Sequence, residues 1–216
     1  KLEKVRKNMF HLDQFISQYV TKRPVSMFSA DIEANRDALS EKIAGKSVLV
    51  IGGAGSIGSS FIKALLPFKP ASLVVVDYNE NALAELTRDL RSTKGMYVPE
   101  DYIPYPMDFA SPVFEKMFRD RGGCDIVGAS KRIMEDVIFS YSDKFPVKTA
   151  RFANVAFSNG SLPAGFLARL SKLQPLSAPS DVRRYFVSPE ESGQICLLSC
   201  MLGENRAIFF PKLAEA

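Results

Sequence analysis

Ser47-Val48-Leu49-Val50-Ile51-Gly52-Gly53-Ala54-Gly55-Ser56-Ile57-Gly58 is the stretch that decides the fold. Ser47 to Ile51 is an apolar run without alternation, as a parallel strand buried on both faces requires. Gly52, Gly55 and Gly58 then stand in a GxxGxxG spacing, overlapped by a GxGxxG that begins at Gly53, and a helix-like stretch continues to Pro67. Glycine at a strand-to-helix turn permits the tight turn and lets backbone amides approach a pyrophosphate, whose charge is favoured at the helix amino end. The loop residues Gly52, Gly55, Ser56, Ile57 and Gly58 are therefore candidates for binding a dinucleotide.

Leu73 to Val76 reads as a second buried strand, and it ends in Asp77, 19 residues after Gly58. An acid at this tip is placed to accept hydrogen bonds from the adenosine ribose hydroxyls and repels a 2′-phosphate, which favours NAD over NADP. The other reading of Asp77 is a strand-end acid that caps the next helix. That helix is marked by Leu83, Leu86 and Leu90 and runs to about Ser92. A short strand, Tyr102 to Pro106, leads to Asp108, which either faces the adenine amino group or serves an ordinary turn. Pro112 to Arg119 is helical, and Asp125-Ile126-Val127 opens a fourth strand. Strand, helix, strand, helix is the pattern of an α/β protein with a Rossmann-type, doubly wound parallel sheet.

After Val127 the pattern breaks. Gly128-Ala129-Ser130-Lys131 reads as the start of a long helix, which leaves no room for the crossover and fifth strand of a parallel sheet. Residues are therefore expected to be missing between Asp125 and Gly128. Downstream, Pro146 to Phe152 reads as a strand, and Ser188-Pro189-Glu190-Glu191 combines a cap, a first-turn proline and a capping-box glutamate. The helix it opens is expected to reach Leu202, with Gly203 closing it.

Upstream, Leu2, Val5, Met9, Leu12, Ile16 and Tyr19 alternate at spacings of three and four, which lines one helix face. Such a face either docks on its own domain or joins subunits of a homo-oligomer. Lys22-Arg23-Pro24 ends that helix, and Ile32, Leu39 and Ile43 mark a second amphipathic segment. The expected organisation is an N-terminal helical arm over 1–45, a dinucleotide-binding domain over 46–153 and a smaller C-terminal substrate-binding region over 154–216.

Composition narrows the function. A chain of 216 residues with 46% hydrophobic and 24% charged residues can bury a real core. Its net charge of +4 is spread among acids, without the dense basic stripe that a nucleic-acid surface needs. Cys124, Cys196 and Cys200 make no CxxC pair or even framework, so free thiols in a reducing compartment, the cytoplasm, are expected. Nothing approaches the roughly 20 uninterrupted apolar residues of a membrane span. His11 is the only histidine, which removes His-based triads and multi-histidine metal sites; no metal is expected, and proton transfer falls to Lys, Tyr, Asp or Glu.

With these residues in place, the chain resembles the extended short-chain dehydrogenases of nucleotide-sugar metabolism. It is most similar to the polysaccharide-biosynthesis UDP-N-acetylglucosamine 4,6-dehydratases and their CapD-type relatives. The likeness runs from about Arg23 to Leu213. It is carried by Gly45-Lys46-Ser47-Val48-Leu49-Val50, the glycine loop, Gly128-Ala129-Ser130-Lys131-Arg132, Arg151-Phe152-Ala153-Asn154-Val155, Gly160-Ser161-Leu162-Pro163, and Arg184-Tyr185-Phe186 ahead of Pro189-Glu190-Glu191.

The resemblance implies that Lys131 is the lysine of the YxxxK motif, which binds the nicotinamide ribose and lowers the pKa of the catalytic hydroxyl. Four positions before it, where relatives carry tyrosine or methionine, this chain has Val127. The Thr-Asp-Lys stretch that relatives carry between the fourth strand and this helix is absent here, in keeping with the expected gap. Asn154 would contact the substrate diphosphate or sugar, Ser161 and Leu162 would lie along the nucleotide, and Arg184 would face the diphosphate. Strand-end packing for Asn154 and a surface charge for Arg184 are the plainer readings. The implied activity is NAD-dependent dehydration of a UDP-N-acetylhexosamine to a UDP-4-keto-6-deoxy sugar. A nucleotide-sugar 4-epimerase of the same fold and a noncatalytic dinucleotide-binding or assembly module are the alternatives.

Overall fold

The computed structural model describes residues 11–121, 126–129, 139–178 and 184–213, the backbone alone for 126–129. The arm enters as α1 (Leu12–Phe15), widens into one looser turn closed by Thr21 N–H on the Ile16 carbonyl at 2.8 Å, and stops before Pro24. Ile16 is 1% exposed and Tyr19 62%, so this part of the stripe docks on its own chain at Ile16. Leu2, Val5 and Met9 lie outside the described residues. Two short helices follow, α2 (Ser29–Ala34) and α3 (Arg36–Ile43), and α3 buries Leu39 and Ile43 completely.

The parallel sheet is built as its apolar runs require. β1 (Ser47–Ile51) leads through the glycine loop into α4 (Ser56–Leu65), then β2 (Ser72–Asp77), α5 (Glu80–Ser92), β3 (Asp101–Pro106), α6 (Pro112–Asp120) and β4 (Ile126–Ala129). The strand order is β3-β2-β1-β4, all parallel. Because the chain reverses direction across the sheet after β3, its helices fall on opposite faces. On one face Val48, Val50, Leu73 and Val75 pack with Ile62 and Leu65 of α4 and Leu83, Leu86 and Leu90 of α5. On the other, Leu49, Val74 and Val76 meet Phe114, Met117 and Phe118 of α6. The sheet is doubly wound.

Two sequence expectations need correction. Gly128 and Ala129 do not open a helix; they continue β4, opposite Val50 and Ile51 of β1. The open side of β1 offers their backbone groups ladder partners, and that outweighs the helix-start reading of a Gly-Ala-Ser run. Nor is 146–152 one strand: only β5 (Thr149–Ala150) is, since its partner β8 (Ile208–Phe209) is equally short and Pro146 has no N–H to give.

The C-terminal part adds β6 (Asn154–Val155), α7 (Leu162–Leu170), β7 (Phe186–Val187) and α8 (Pro189–Leu202), with β6 and β7 parallel. The capping box of α8 forms as expected: Glu191 N–H donates to Ser188 Oγ at 3.1 Å, Ser188 N–H to Glu191 Oε2 at 2.8 Å, and Gly203 closes the helix. α8 packs on α4 so closely that a β-carbon on Gly193 would lie 2.2 Å from the Ser60 carbonyl oxygen. The last helix is thereby fixed against the helix that the glycine loop begins.

Candidate functional site

The glycine loop sits at the carboxyl edge of the sheet, between β1 and α4. Gly52 takes φ 71°, the left-handed region open to glycine, and its N–H donates to the Val76 carbonyl at 2.7 Å. A β-carbon on Gly58 would lie 2.4 Å from the Gly52 carbonyl oxygen and 2.7 Å from the Gly53 Cα. Helix and loop are in backbone contact there. Gly55 is the extended N-cap of α4, and no side chain caps that end. An uncapped helix amino terminus beneath a glycine turn forms a cradle whose free amides could accept a diphosphate, and Ser56 and Ile57 are its first-turn residues.

Asp77 closes the cradle from the side. It is 8% exposed; its Oδ2 accepts from Ala54 N–H at 3.1 Å and its Oδ1 from Asn79 N–H at 3.0 Å. The helix cap itself is Asn79, whose Oδ1 accepts from Ala82 N–H at 3.0 Å. Asp77 thus braces the glycine loop instead of capping α5, and a carboxylate with about four acceptor directions keeps capacity beyond those two. Asp108 lies at the neighbouring strand end, where Met107 N–H donates to the Asp77 carbonyl at 3.1 Å. It is exposed, and its Oδ1 accepts from Ala110 N–H at 2.9 Å, so it makes a turn beside the cradle.

The second half of the site abuts the first. Asn159 N–H, in the loop between β6 and α7, donates to Ser56 Oγ at 3.0 Å. At the end of that loop Ser161 caps α7, its Oγ accepting from Ala164 N–H at 3.4 Å, and Leu162 is 49% exposed. Asn154 opens β6; its N–H and Nδ2 both donate to the Tyr185 carbonyl, at 3.2 and 3.4 Å. Arg184, next to Tyr185, is exposed. The structure therefore brings Ser56, Asn154, Ser161 and Leu162 onto connected segments. Lys131 lies outside the described residues.

Sequence reasoning missed what holds this half in place. Arg23, read only as part of a helix stop, grips the capping-box Glu191 through two bonds of 2.7 Å and also donates to the Phe186 carbonyl at 2.9 Å. Met27 N–H adds a bond of 3.1 Å to Glu191, which is 1% exposed. Burial pushes the Glu191 carboxyl up, but the Arg23 guanidinium and the Ser188 and Met27 N–H groups outweigh it and hold the group below its ordinary value. The same bond raises Arg23. Phe157 is a second surprise: it takes φ 56°, which nothing in a bulky aromatic residue announces. Elsewhere, burial pushes the Cys196 thiol up to about 12, as suits a packing role. No cluster of metal-ligating side chains occurs among the described residues, and none of the described helices is long and apolar enough to cross a membrane.

A family model described as polysaccharide biosynthesis protein matches residues 48–101 and 122–216. The chain belongs to this family. The match takes in the glycine loop, Asp77, Asn154, Ser161, Leu162 and Arg184, and leaves Asp108 outside. Among the chain's relatives, an uncharacterized membrane protein of Methanocaldococcus jannaschii is 26% identical over 222 residues, covering 78% of this chain and 67% of its own. The capsular polysaccharide biosynthesis protein CapD of Staphylococcus aureus is 22% identical over 237 residues, covering 82% of this chain and 40% of CapD. The chain thus spans about two fifths of CapD. Since 78% of 216 residues is about 168, against 222 aligned positions, roughly fifty residues of the first relative have no counterpart here.

The fold has solved counterparts. An epimerase of Methanothermobacter thermautotrophicus superposes with a TM-score of 0.62 at 14% identity, over 85% of this chain and 75% of that one. The enzyme WbmF of Bordetella bronchiseptica, solved in complex with NAD+ and UDP, superposes with a TM-score of 0.53 at 15% identity, over 78% and 73%. At these identities the likeness is one of fold.

Proposed function

We propose that this chain is part of an NAD-dependent enzyme acting on a nucleoside-diphosphate sugar, and specifically a UDP-N-acetylglucosamine 4,6-dehydratase. The observation that carries the reading is the 3.0 Å bond from Asn159 N–H to Ser56 Oγ, which joins the glycine-loop cradle to the loop that follows Asn154's strand and precedes Ser161. Support comes also from WbmF, a protein of similar fold whose structure holds NAD+ and UDP together.

The residues present fit a dinucleotide: Gly58 lets α4 start in backbone contact with the glycine turn, and the α4 amino end is free of side-chain caps. The first-turn amides of α4, with Gly55, Ser56 and Ile57, would hold the diphosphate; Asp77 would hold the adenosine ribose and disfavour a 2′-phosphate; Asp108 would face the adenine. Lys131 would hold the nicotinamide ribose and depress the pKa of a neighbouring hydroxyl. Asn154, Ser161, Leu162 and Arg184 would hold the UDP part of the substrate. Bound NAD supplies a reversible hydride acceptor. Oxidation at sugar C4 would acidify the C5 proton; loss of that proton with the C6 hydroxyl, as water, would give an enone, and return of the hydride to C6 with a proton to C5 would leave the 4-keto-6-deoxy sugar. The division of labour is arm 1–45, dinucleotide domain 46–153 and sugar-nucleotide region 154–216.

The acid–base set of the C5–C6 elimination we assign to the roughly fifty residues that the relative carries and this sequence lacks. The fold match to an epimerase supports a second reading, a 4-epimerase on the same cofactor. Titration calorimetry with NAD and with UDP, run beside an intact mass, tests the proposal. Binding of both ligands supports the reading, and a mass several kilodaltons above 23.9 kDa supports the added segment. Failure to bind either ligand overturns the enzyme, and a mass of 23.9 kDa with binding but no turnover leaves a noncatalytic module.

A further inference from the structure

We propose that Phe15, in the N-terminal arm, is a positioning residue for the sugar-nucleotide half of the site, acting through Phe157. The proposal rests on the nucleotide-sugar reading above. Phe157 holds φ 56°, a backbone state that a bulky L residue keeps only where its surroundings enforce it. Its neighbours on the chain are pinned from several sides. Ala156 N–H donates to the Val187 carbonyl at 2.9 Å, Ser158 N–H to Val155 at 3.2 Å, Asn159 N–H to Ser56 Oγ at 3.0 Å and Ser161 N–H to Ser158 at 2.9 Å.

The arm sets Phe15 against the Phe157 ring, with centroids 5.9 Å apart and planes at 76°, the favoured T-shaped geometry. Phe15 is itself backed by Tyr19, at 5.3 Å. The arm is not a loose neighbour, because Arg23 ties it to Glu191 and to the Phe186 carbonyl of β7, the strand paired with Asn154. The arm therefore holds the 156–160 loop at its strained residue and, through β7, at its root.

The consequence is specific. Rotation of Phe157 out of the left-handed region would carry the Asn159 amide off Ser56 and shift the Ser161 turn, while the Ala54–Asp77 brace and Gly52–Val76 bond of the dinucleotide cradle stay as they are. Phe15→Ala should weaken UDP binding by about 2- to 10-fold, the equivalent of one edge-to-face pair, with NAD affinity unchanged. Phe15→Tyr should restore UDP binding, whereas Phe15→Leu, which keeps apolar bulk without a ring edge, should not. Phe157→Gly makes the positive φ free of strain, so in that background Phe15→Ala should have no further effect on UDP.

Calorimetric Kd values for UDP and NAD across these variants, each with its melting temperature, decide the matter. Unchanged UDP affinity in Phe15→Ala and Phe15→Leu overturns the proposal. So does a parallel loss of UDP and NAD affinity that tracks the melting temperature, since that marks Phe15 as packing only. Wild-type protein that binds neither ligand fails at the functional reading itself, and the proposal falls with it.

Discussion

One carboxylate ties the tip of β2 to the glycine loop: Asp77 Oδ2 accepts from Ala54 N–H at 3.1 Å. The residue expected to hold the adenosine ribose is also a strut of the diphosphate cradle, so its loss acts on both. Asp77→Ala should weaken NAD binding by about 10- to 100-fold, the range for hydrogen bonds to a charged acceptor. It should also narrow the preference for NAD over NADP. Parallel titrations with the two dinucleotides check both effects.

Gly58 is where helix and loop touch. With a β-carbon due 2.4 Å from the Gly52 carbonyl oxygen, Gly58→Ala must push backbone against backbone. The expected cost is about 1–3 kcal/mol of stability, as for overpacking in a well-filled core, together with loss of measurable NAD binding. Chemical denaturation and a dinucleotide titration of the same sample separate the two.

The buried Glu191 gives an acid limit. Its carboxyl is held below the ordinary glutamate value despite burial, chiefly by Arg23 and two N–H donors. The stability this contributes is full above the unfolded glutamate pKa, near about 4.3, and is lost as pH falls through the lower folded value. Glu191→Gln removes the charge, so its stability should fall by about 3 kcal/mol at neutral pH, the low end for breaking a buried pair. Its unfolding free energy should also change less than wild type between pH 5 and 3. Denaturant titrations at several pH values show whether the two curves converge in acid.

Cys196, its thiol raised to about 12 by burial, should resist alkylation at pH 8 in the folded protein and react once denatured. Rapid labelling of native protein, read by peptide mass, contradicts the packing role.

Much of the sheet was legible because its signals are local. Val48 to Ile51, the glycine spacing, Asp77 and the Leu83-Leu86-Leu90 stripe each lie within a few residues of what they specify, and Ser188 and Glu191 cap their own helix. What the sequence hid is long-range. Arg23 and Glu191 are 168 positions apart, Gly128 and Ala129 became strand because β1 had an open side, and the Phe157 backbone is imposed by its surroundings. In the candidate site, the glycine loop and Asp77 were readable as a unit, whereas the contact of Asn159 with Ser56 depends on how two regions meet.

The most direct test is to incubate purified protein with UDP-N-acetylglucosamine and a catalytic amount of NAD, and follow the sugar by proton NMR. The account predicts loss of the C4 proton and C6 hydroxymethyl signals and appearance of a 6-deoxy methyl group in a 4-keto product. A C4-inverted sugar with C6 still hydroxylated contradicts the dehydratase in favour of the epimerase, and an unchanged substrate from protein that binds both NAD and UDP contradicts catalysis altogether.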